Sequence, residues 1–165
     1  MILPLSAFHN PVLRKAANPI IIFDDPKLQA LISDMIATMY KCEGIGLAAP
    51  QVNYSLQLAV IVPDPNRFQD YKDKKQEAIV IINPQIKKHS FRKELQEEGC
   101  LSVPGYFGPV KRWCNVVVSY QDRNGEKRIM KSSGLLSKVF QHEIDHLNGA
   151  LFIDKAEKIY KATSL

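Results

Sequence analysis

An α+β fold, with antiparallel β-sheets packed around a central helix and a second helix near the N-terminus, is predicted by three observations. Leu28, Leu31, Ile32, Met35, Ile36 and Met39 recur at the i, i+3, i+4 spacing of an amphipathic helix. Short strand-like runs fill the middle of the chain and include an Asn124-Gly125 hairpin signal. Leu135, Leu136, Val139, Phe140 and Leu147 then mark a second helix, the central one, near the C-terminus. Strands that run together between two helices favour helices segregated against antiparallel sheet over alternating parallel units.

In chain order, the first two dozen residues read as extended and irregular. Pro4, Pro11 and Pro19 punctuate them, and His9 falls in a His9-Asn10-Pro11 turn as an exposed loop residue. Asp25-Pro26 starts the first helix, with Asp as cap and Pro at the first helical position, and the apolar stripe carries it to about Lys41. Gly44 to Gln51 ends that helix in a packed turn of small residues. Gln51, a polar amide after the run Gly44 to Pro50 without a charge or hydroxyl, is expected to have a specific hydrogen-bonding task. The glycines there do not make a phosphate loop, because the third glycine and the Lys-Ser/Thr pair are missing.

Leu56 to Val62 and Ala78 to Ile82 read as strands separated by a polar loop from Pro63 to Gln76, and Gln85 to Phe91 as another. Val116 to Tyr120 and Lys127 to Met130 flank the hairpin turn. The central helix begins near Gly134 and stops at Asn148-Gly149, two residues that tolerate the left-handed conformation of a helix end. The 165 residues are expected to form one domain around one core.

Composition narrows the function. Hydrophobic content of 45% and charged content of 24% are those of an ordinary globular protein. The net charge of +5 is mild and dispersed, with no stripe of Arg and Lys among aromatics, so sequence-specific nucleic-acid reading is not expected. Cys42, Cys100 and Cys114 form no C-x-x-C pair and leave an odd one over, which points to a reducing compartment. Met1 to Leu5 is interrupted by proline too early for a secretory signal, and no apolar run approaches a membrane span. A cytoplasmic enzyme is expected.

The chemistry is concentrated in Gln141-His142-Glu143-Ile144-Asp145-His146-Leu147-Asn148-Gly149. Two histidines four apart on a helix share one face and can hold one metal ion, and the glutamate after the first can serve a water there as base. In a chain of this composition H-E-x-x-H arises by chance on the order of once in a few hundred cases. A third ligand is needed. One protease pattern would place a histidine at position 152, which is Phe152, and Glu157 lies too close after His146 to serve as the distant downstream glutamate. The ligand is therefore expected upstream. Cys100, in Glu98-Gly99-Cys100-Leu101-Ser102, is the better candidate as a thiolate, and His89 in a polar run is the competitor.

Three blocks, Gly44-Ile45-Gly46-Leu47-Ala48-Ala49-Pro50-Gln51, Glu98-Gly99-Cys100-Leu101-Ser102 and Gln141-His142-Glu143-Ile144-Asp145-His146-Leu147, together resemble the signature motifs of the peptide deformylases. The resemblance covers nearly the whole chain. It implies removal of the formyl group from the N-terminal formyl-methionine of nascent polypeptides, with release of formate, close to the ribosome exit and by a monomer. It implies Cys100, His142 and His146 as metal ligands, with ferrous iron (Fe2+) as native metal and zinc (Zn2+), nickel (Ni2+) or cobalt (Co2+) as substitutes. Glu143 is implied as general base and acid, and Gln51 and the Leu101 N–H as oxyanion donors. Ile45, Gly46, Gly99 and Leu135 are implied to line the substrate site, and Glu98 and Arg112 to form an ion pair behind it. The chain departs from the pattern at Ser137-Lys138, where many relatives have Ala-Arg, and at Phe107, where some carry an arginine. Eleven residues follow Asp154, so the C-terminal helix of some members is expected to be shortened. A metallopeptidase cleaving internal bonds and a catalytically dead metal-binding relative are the alternatives from other classes.

Overall fold

The structure, a computed structural model, describes residues 1–67 and 78–161. Helix α1 spans Pro26–Lys41, with the Asp25 carboxylate accepting from Lys27 N at 2.9 Å and Pro26 in the first turn, as the sequence predicts. Strands β1 (Gly46–Ala48), β2 (Leu58–Ile61), β3 (Ile79–His89), β4 (Lys93–Cys100), β5 (Val103–Trp113), β6 (Asn115–Gln121) and β7 (Lys127–Ser133) follow. Helix α2 (Gly134–Leu147) and the short β8 (Tyr160–Lys161) complete the described elements. Every strand pairing is antiparallel, in a five-stranded sheet β1-β2-β3-β6-β7 and a three-stranded sheet β4-β5-β8.

The two helices cover opposite faces of the larger sheet. Alternate residues of β2 point to opposite sides: Leu58 and Val60 pack with Leu31, Ile32, Met35 and Met39 of α1. Ala59 and Ile61 pack with Val139, Phe140, Ile144 and Leu147 of α2. All four β2 residues are therefore buried, which is why this strand reads as an unbroken apolar run. A smaller cluster of Leu13, Val103, Val110, Leu151 and Phe152 lies under the three-stranded sheet.

The two runs at 78–82 and 85–91 are one strand, β3, not two. Its register against β6 shifts between Ile82 and Gln85, around Pro84 and an Asn83 of positive φ, 51°. A proline cannot donate to the ladder and is accommodated at such a bulge, so its local signature is a break although the strand continues. The turn expected over Gly44–Gln51 contains the edge strand β1 and a 3-10 turn over Ala49–Val52. β4, β5 and β8 are additional to the predicted strands. The Asn124-Gly125 hairpin is present, with Asp122 Oδ1 accepting from Asn124 N and Glu126 N. Of the predicted Pro63–Gln76 loop, the part beyond residue 67 lies outside the described residues.

Helix α2 starts at Gly134 and is capped by Asn148, with Gly149 at φ 77°. A Cβ at 149 would also lie 2.8 Å from Lys15 N, so both the conformation and the close packing of the helix end require glycine. Its other end is pinned to β5. Gln141 Oε1 accepts from Trp113 N at 3.0 Å, while Gln141 Nε2 and Ser137 Oγ donate to Trp113 O at 2.9 and 3.2 Å. One face of α2 is thus committed to the sheet, His142 and His146 look toward Glu98 and Cys100 of β4, and Glu143 lies against Gly46 of β1.

Candidate metal centre

Cys100 ends β4 at a register shift, where it stands opposite Val103. His142 and His146 come from α2, one turn apart. The ring atom His146 Nε2 lies 3.3 Å from Cys100 Sγ and 3.2 Å from His142 Nε2, and the three atoms all fall within 4.8 Å of one another. Tetrahedral coordination at ordinary Zn–S and Zn–N lengths has edges of about 3.4 to 3.6 Å. One thiol and two imidazole nitrogens at this spacing fit a divalent first-row metal. Among the described residues this is the group of three that could hold one.

The surroundings fit as well. Glu98 Oε2 lies 2.8 Å from His142 Nδ1, and an ionised carboxylate can only accept, so Nδ1 carries the proton and Nε2 is the ring atom left to face a metal beside Cys100 and His146. Arg112 Nε and Nη2 donate to Glu98 Oε1 and Oε2 at 2.6 and 2.9 Å, and Arg112 Nη1 donates to Asp145 at 2.5 Å. Lys155 Nζ donates to the other Asp145 oxygen at 2.6 Å. Burial alone would raise the Glu98 pKa, but the hydrogen bonds from Arg112 and His142 outweigh it and hold the carboxyl at about 2. The Arg112 guanidinium, favoured by the same pair against its own burial, stays charged.

Glu143 is 3% exposed and its Oε2 has no protein partner among the described residues; His146 Nδ1 is likewise unpartnered. Unsatisfied buried polar atoms are rare, and a carboxylate oxygen without a partner beside three donor atoms marks the place of a ligand. Burial pushes the Glu143 pKa up to about 7, with the opposing pull of His142 the smaller effect. A Cβ at position 46 would lie 2.3 Å from Glu143 Oε1, so glycine there leaves the carboxylate its room. Gln51, 2% exposed, is held by Ala48 N donating to its Oε1 at 2.8 Å. Its Nε2 lies 3.4 Å from both Cys100 Sγ and Ser102 Oγ. The task predicted for this amide has a location: its donor end faces the cysteine.

A cavity of roughly 630 Å³ opens on this group. Ile45, Gly46, Gly99, Leu101 and Leu135, all expected at the site, line it together with Gln51, Cys100, His142 and Glu143. Phe107 also lines it, its ring against Gly99. His89 does not join the group: it is exposed, its ring stacked on Trp113 with centroids 4.0 Å apart. Sequence reasoning missed Gln96 on the cavity wall and the Asp145–Lys155 extension of the ion pair. The alternation of Glu94, Gln96 and Glu98 in a charged segment was the available signal.

The family model described as Polypeptide deformylase matches residues 2–162. The chain belongs to the polypeptide deformylase family. It is 44% identical over 158 residues to the peptide deformylase of Chlorobaculum parvum, covering 96% of this chain and 81% of that one. To that of Desulfotalea psychrophila it is 47% identical over 153 residues, covering 93% and 86%. The fold superposes on the crystal structure of a peptide deformylase from Legionella pneumophila with a TM-score of 0.85 at 44% identity, over 95% of this chain and 87% of that one. A Synechococcus elongatus peptide deformylase in complex with actinonin gives 0.84 at 41% identity, over 94% and 79%. The family is one of metal-dependent hydrolases, and the chain is an enzyme that removes the formyl group from the N-terminal formyl-methionine of nascent polypeptides, releasing formate. No helix among the described residues is long and apolar enough to cross a membrane.

Proposed function

We propose that Cys100, His142 and His146 hold the catalytic metal and that Glu143 moves the proton of the hydrolysis. The observation that carries this reading is the unpartnered Glu143 Oε2, buried beside a thiol and two imidazoles at ligand spacing. The metal, when bound, supplies Lewis acidity that lowers the pKa of water and polarises the formyl carbonyl. Glu143, with a pKa raised to about 7 by burial, is suited both to accept a proton and to return it near neutral pH. It takes a proton from water at a carboxylate oxygen as the water oxygen bonds to the formyl carbon. It then delivers that proton to the amine nitrogen as the C–N bond breaks, leaving formate and a free N-terminus. Gln51 Nε2 and the Leu101 N–H donate to the oxyanion that develops on the formyl oxygen. Ile45, Gly46, Gly99 and Leu135 bound the space that receives the peptide.

The same reading takes ferrous iron as the native metal, with zinc, nickel or cobalt able to substitute, since a thiolate and two imidazoles suit each of them. It takes residues 1–165 as a single catalytic domain acting as a monomer in the cytoplasm, on formylated chains near the ribosome exit. Glu143→Gln tests the central assignment. The variant should bind metal at full stoichiometry and still bind a formyl-peptide, while formate release from formyl-Met-Ala falls by at least 100-fold. Loss of metal together with activity would make Glu143 a ligand, and near-normal turnover would move the base elsewhere, first to Asp145.

A further inference from the structure

Beyond the metal ligands, α2 and β4 meet at a second set of polar side chains. Residues 94, 96 and 98 of β4 are shielded while 95 and 97 are exposed, so Glu94, Gln96 and Glu98 share its inward face. Lys138 stands four residues before His142, one turn and about 6 Å along the same face of α2. A two-residue step on β4, about 6.8 Å, matches that turn. As Glu98 meets His142, so Gln96 and Glu94 meet Lys138: Lys138 Nζ donates to Gln96 Oε1 at 3.0 Å and lies 3.5 Å from Glu94 Oε2. The Lys138 side chain is only 10% exposed, and Lys138 and Gln96 both line the cavity that holds Glu143 and His142.

This places a cation in a cavity whose lining includes the apolar side chains of Ile45, Leu135 and Val139. An ammonium has three donors. Among the described residues Gln96 accepts one of them, and Glu94 lies 3.5 Å away as a counter-charge. A formyl group reacting at Cys100, His142 and Glu143 sets the first side chain of the peptide within one residue of them. An extended methionine side chain is about as long as one helical turn, and Lys138 stands one turn from His142 on the lining of the same cavity. The thioether of methionine is a weak acceptor and gains little from an ammonium. A sulfoxide oxygen is a strong acceptor, and burying it in an apolar pocket without a donor would be costly.

We propose that Lys138 is a substrate-binding residue at the far wall of the cavity, and that it lets the enzyme deformylate peptides whose first residue is methionine sulfoxide. The proposal rests on the deformylase reading of this site. Lys138 donates to the sulfoxide oxygen while Gln96 and Glu94 hold the ammonium in place, and the hydrolysis itself is unchanged.

The test compares formate release from formyl-methionine-sulfoxide-Ala and from formyl-norleucine-Ala, a side chain of the same length without an acceptor. In the metal-loaded wild type the sulfoxide peptide should have a kcat/KM within about 10-fold of the norleucine peptide. Lys138→Met should lower the sulfoxide-to-norleucine ratio by roughly 10- to 100-fold, the loss of one charged hydrogen bond, and Lys138→Arg should restore most of it. Dissociation constants for the two peptides, measured by calorimetry in Glu143→Gln with and without Lys138→Met, should move in the same direction. An unchanged ratio in Lys138→Met would overturn the proposal and leave Lys138 as a brace between β4 and α2. So would a wild type that disfavours the sulfoxide more than 100-fold, a result that needs no variant to fold. Absence of formate from formyl-Met-Ala would instead defeat the deformylase reading, and this proposal with it.

Discussion

Glu98→Gln is the substitution whose cost can be worked most directly from the structure. It keeps the size of the side chain but removes the charge facing Arg112, which is 3% exposed. Breaking a buried ion pair by removing one partner costs about 3–5 kcal/mol, because the other charge stays buried. Asp145, 2.5 Å from Arg112 Nη1, remains as a counter-charge and puts the expected loss at the lower end. The carboxyl gives a second route to the number. Its pKa falls from 4.5 to about 2 on folding, and at ~1.4 kcal/mol per pH unit this is about 3 kcal/mol of stability. Both routes give about 3 kcal/mol. The sign fixes the pH window: with the folded pKa depressed, the contribution is complete above pH 4.5 and disappears as pH falls through about 2. Urea unfolding of chelator-treated protein, followed by the fluorescence of the single tryptophan, Trp113, measures this without the added stability of a bound metal. Wild type should exceed Glu98→Gln by about 3 kcal/mol at pH 7, and the gap should close between pH 4.5 and pH 2. A difference below about 1 kcal/mol at pH 7, or one that does not change with pH, would refute the ion-pair reasoning.

The remaining predictions concern the site. Cys100→Ser and His146→Ala should lose most bound metal by atomic absorption, while His89→Ala, whose ring sits on Trp113 away from the cavity, should retain it. Full metal content in either of the first two would remove that residue from the ligand set. Gln51→Ala should lower kcat by roughly 100-fold with little change in KM, as expected of a donor used in the transition state; an effect on KM alone would make Gln51 a positioning residue. Gly46→Ala would set a Cβ 2.3 Å from Glu143 Oε1. By displacing the carboxylate it should cost roughly 100-fold in kcat while metal content holds, and normal turnover would show that Glu143 needs no such room.

Local sequence determined those features whose physics is local. The cap at Asp25, the proline after it and the apolar stripe to Met39 define α1 without reference to the rest of the chain. His142 and His146 share a helix face because four residues are about one turn, and Asn124-Gly125 turns a hairpin because Gly125 takes a positive φ of 84° without a Cβ to strain. The motif blocks carried the family assignment as well. Tertiary structure decided the rest. β4 and β5 escaped the strand reading because one is rich in Glu and the other is broken by Pro104, Gly105, Gly108 and Pro109, compositions that disfavour strands. Their pairing with each other and the packing of β4 against α2 override that propensity. The same packing selects Cys100 over His89, since a ligand some forty residues upstream is chosen by where its strand ends. It also sets Glu98 against His142 and Gln96 against Lys138. Those meetings depend on the rise of a strand matching the pitch of a helix across three intervening strands, a coincidence of spacing that neither segment carries alone.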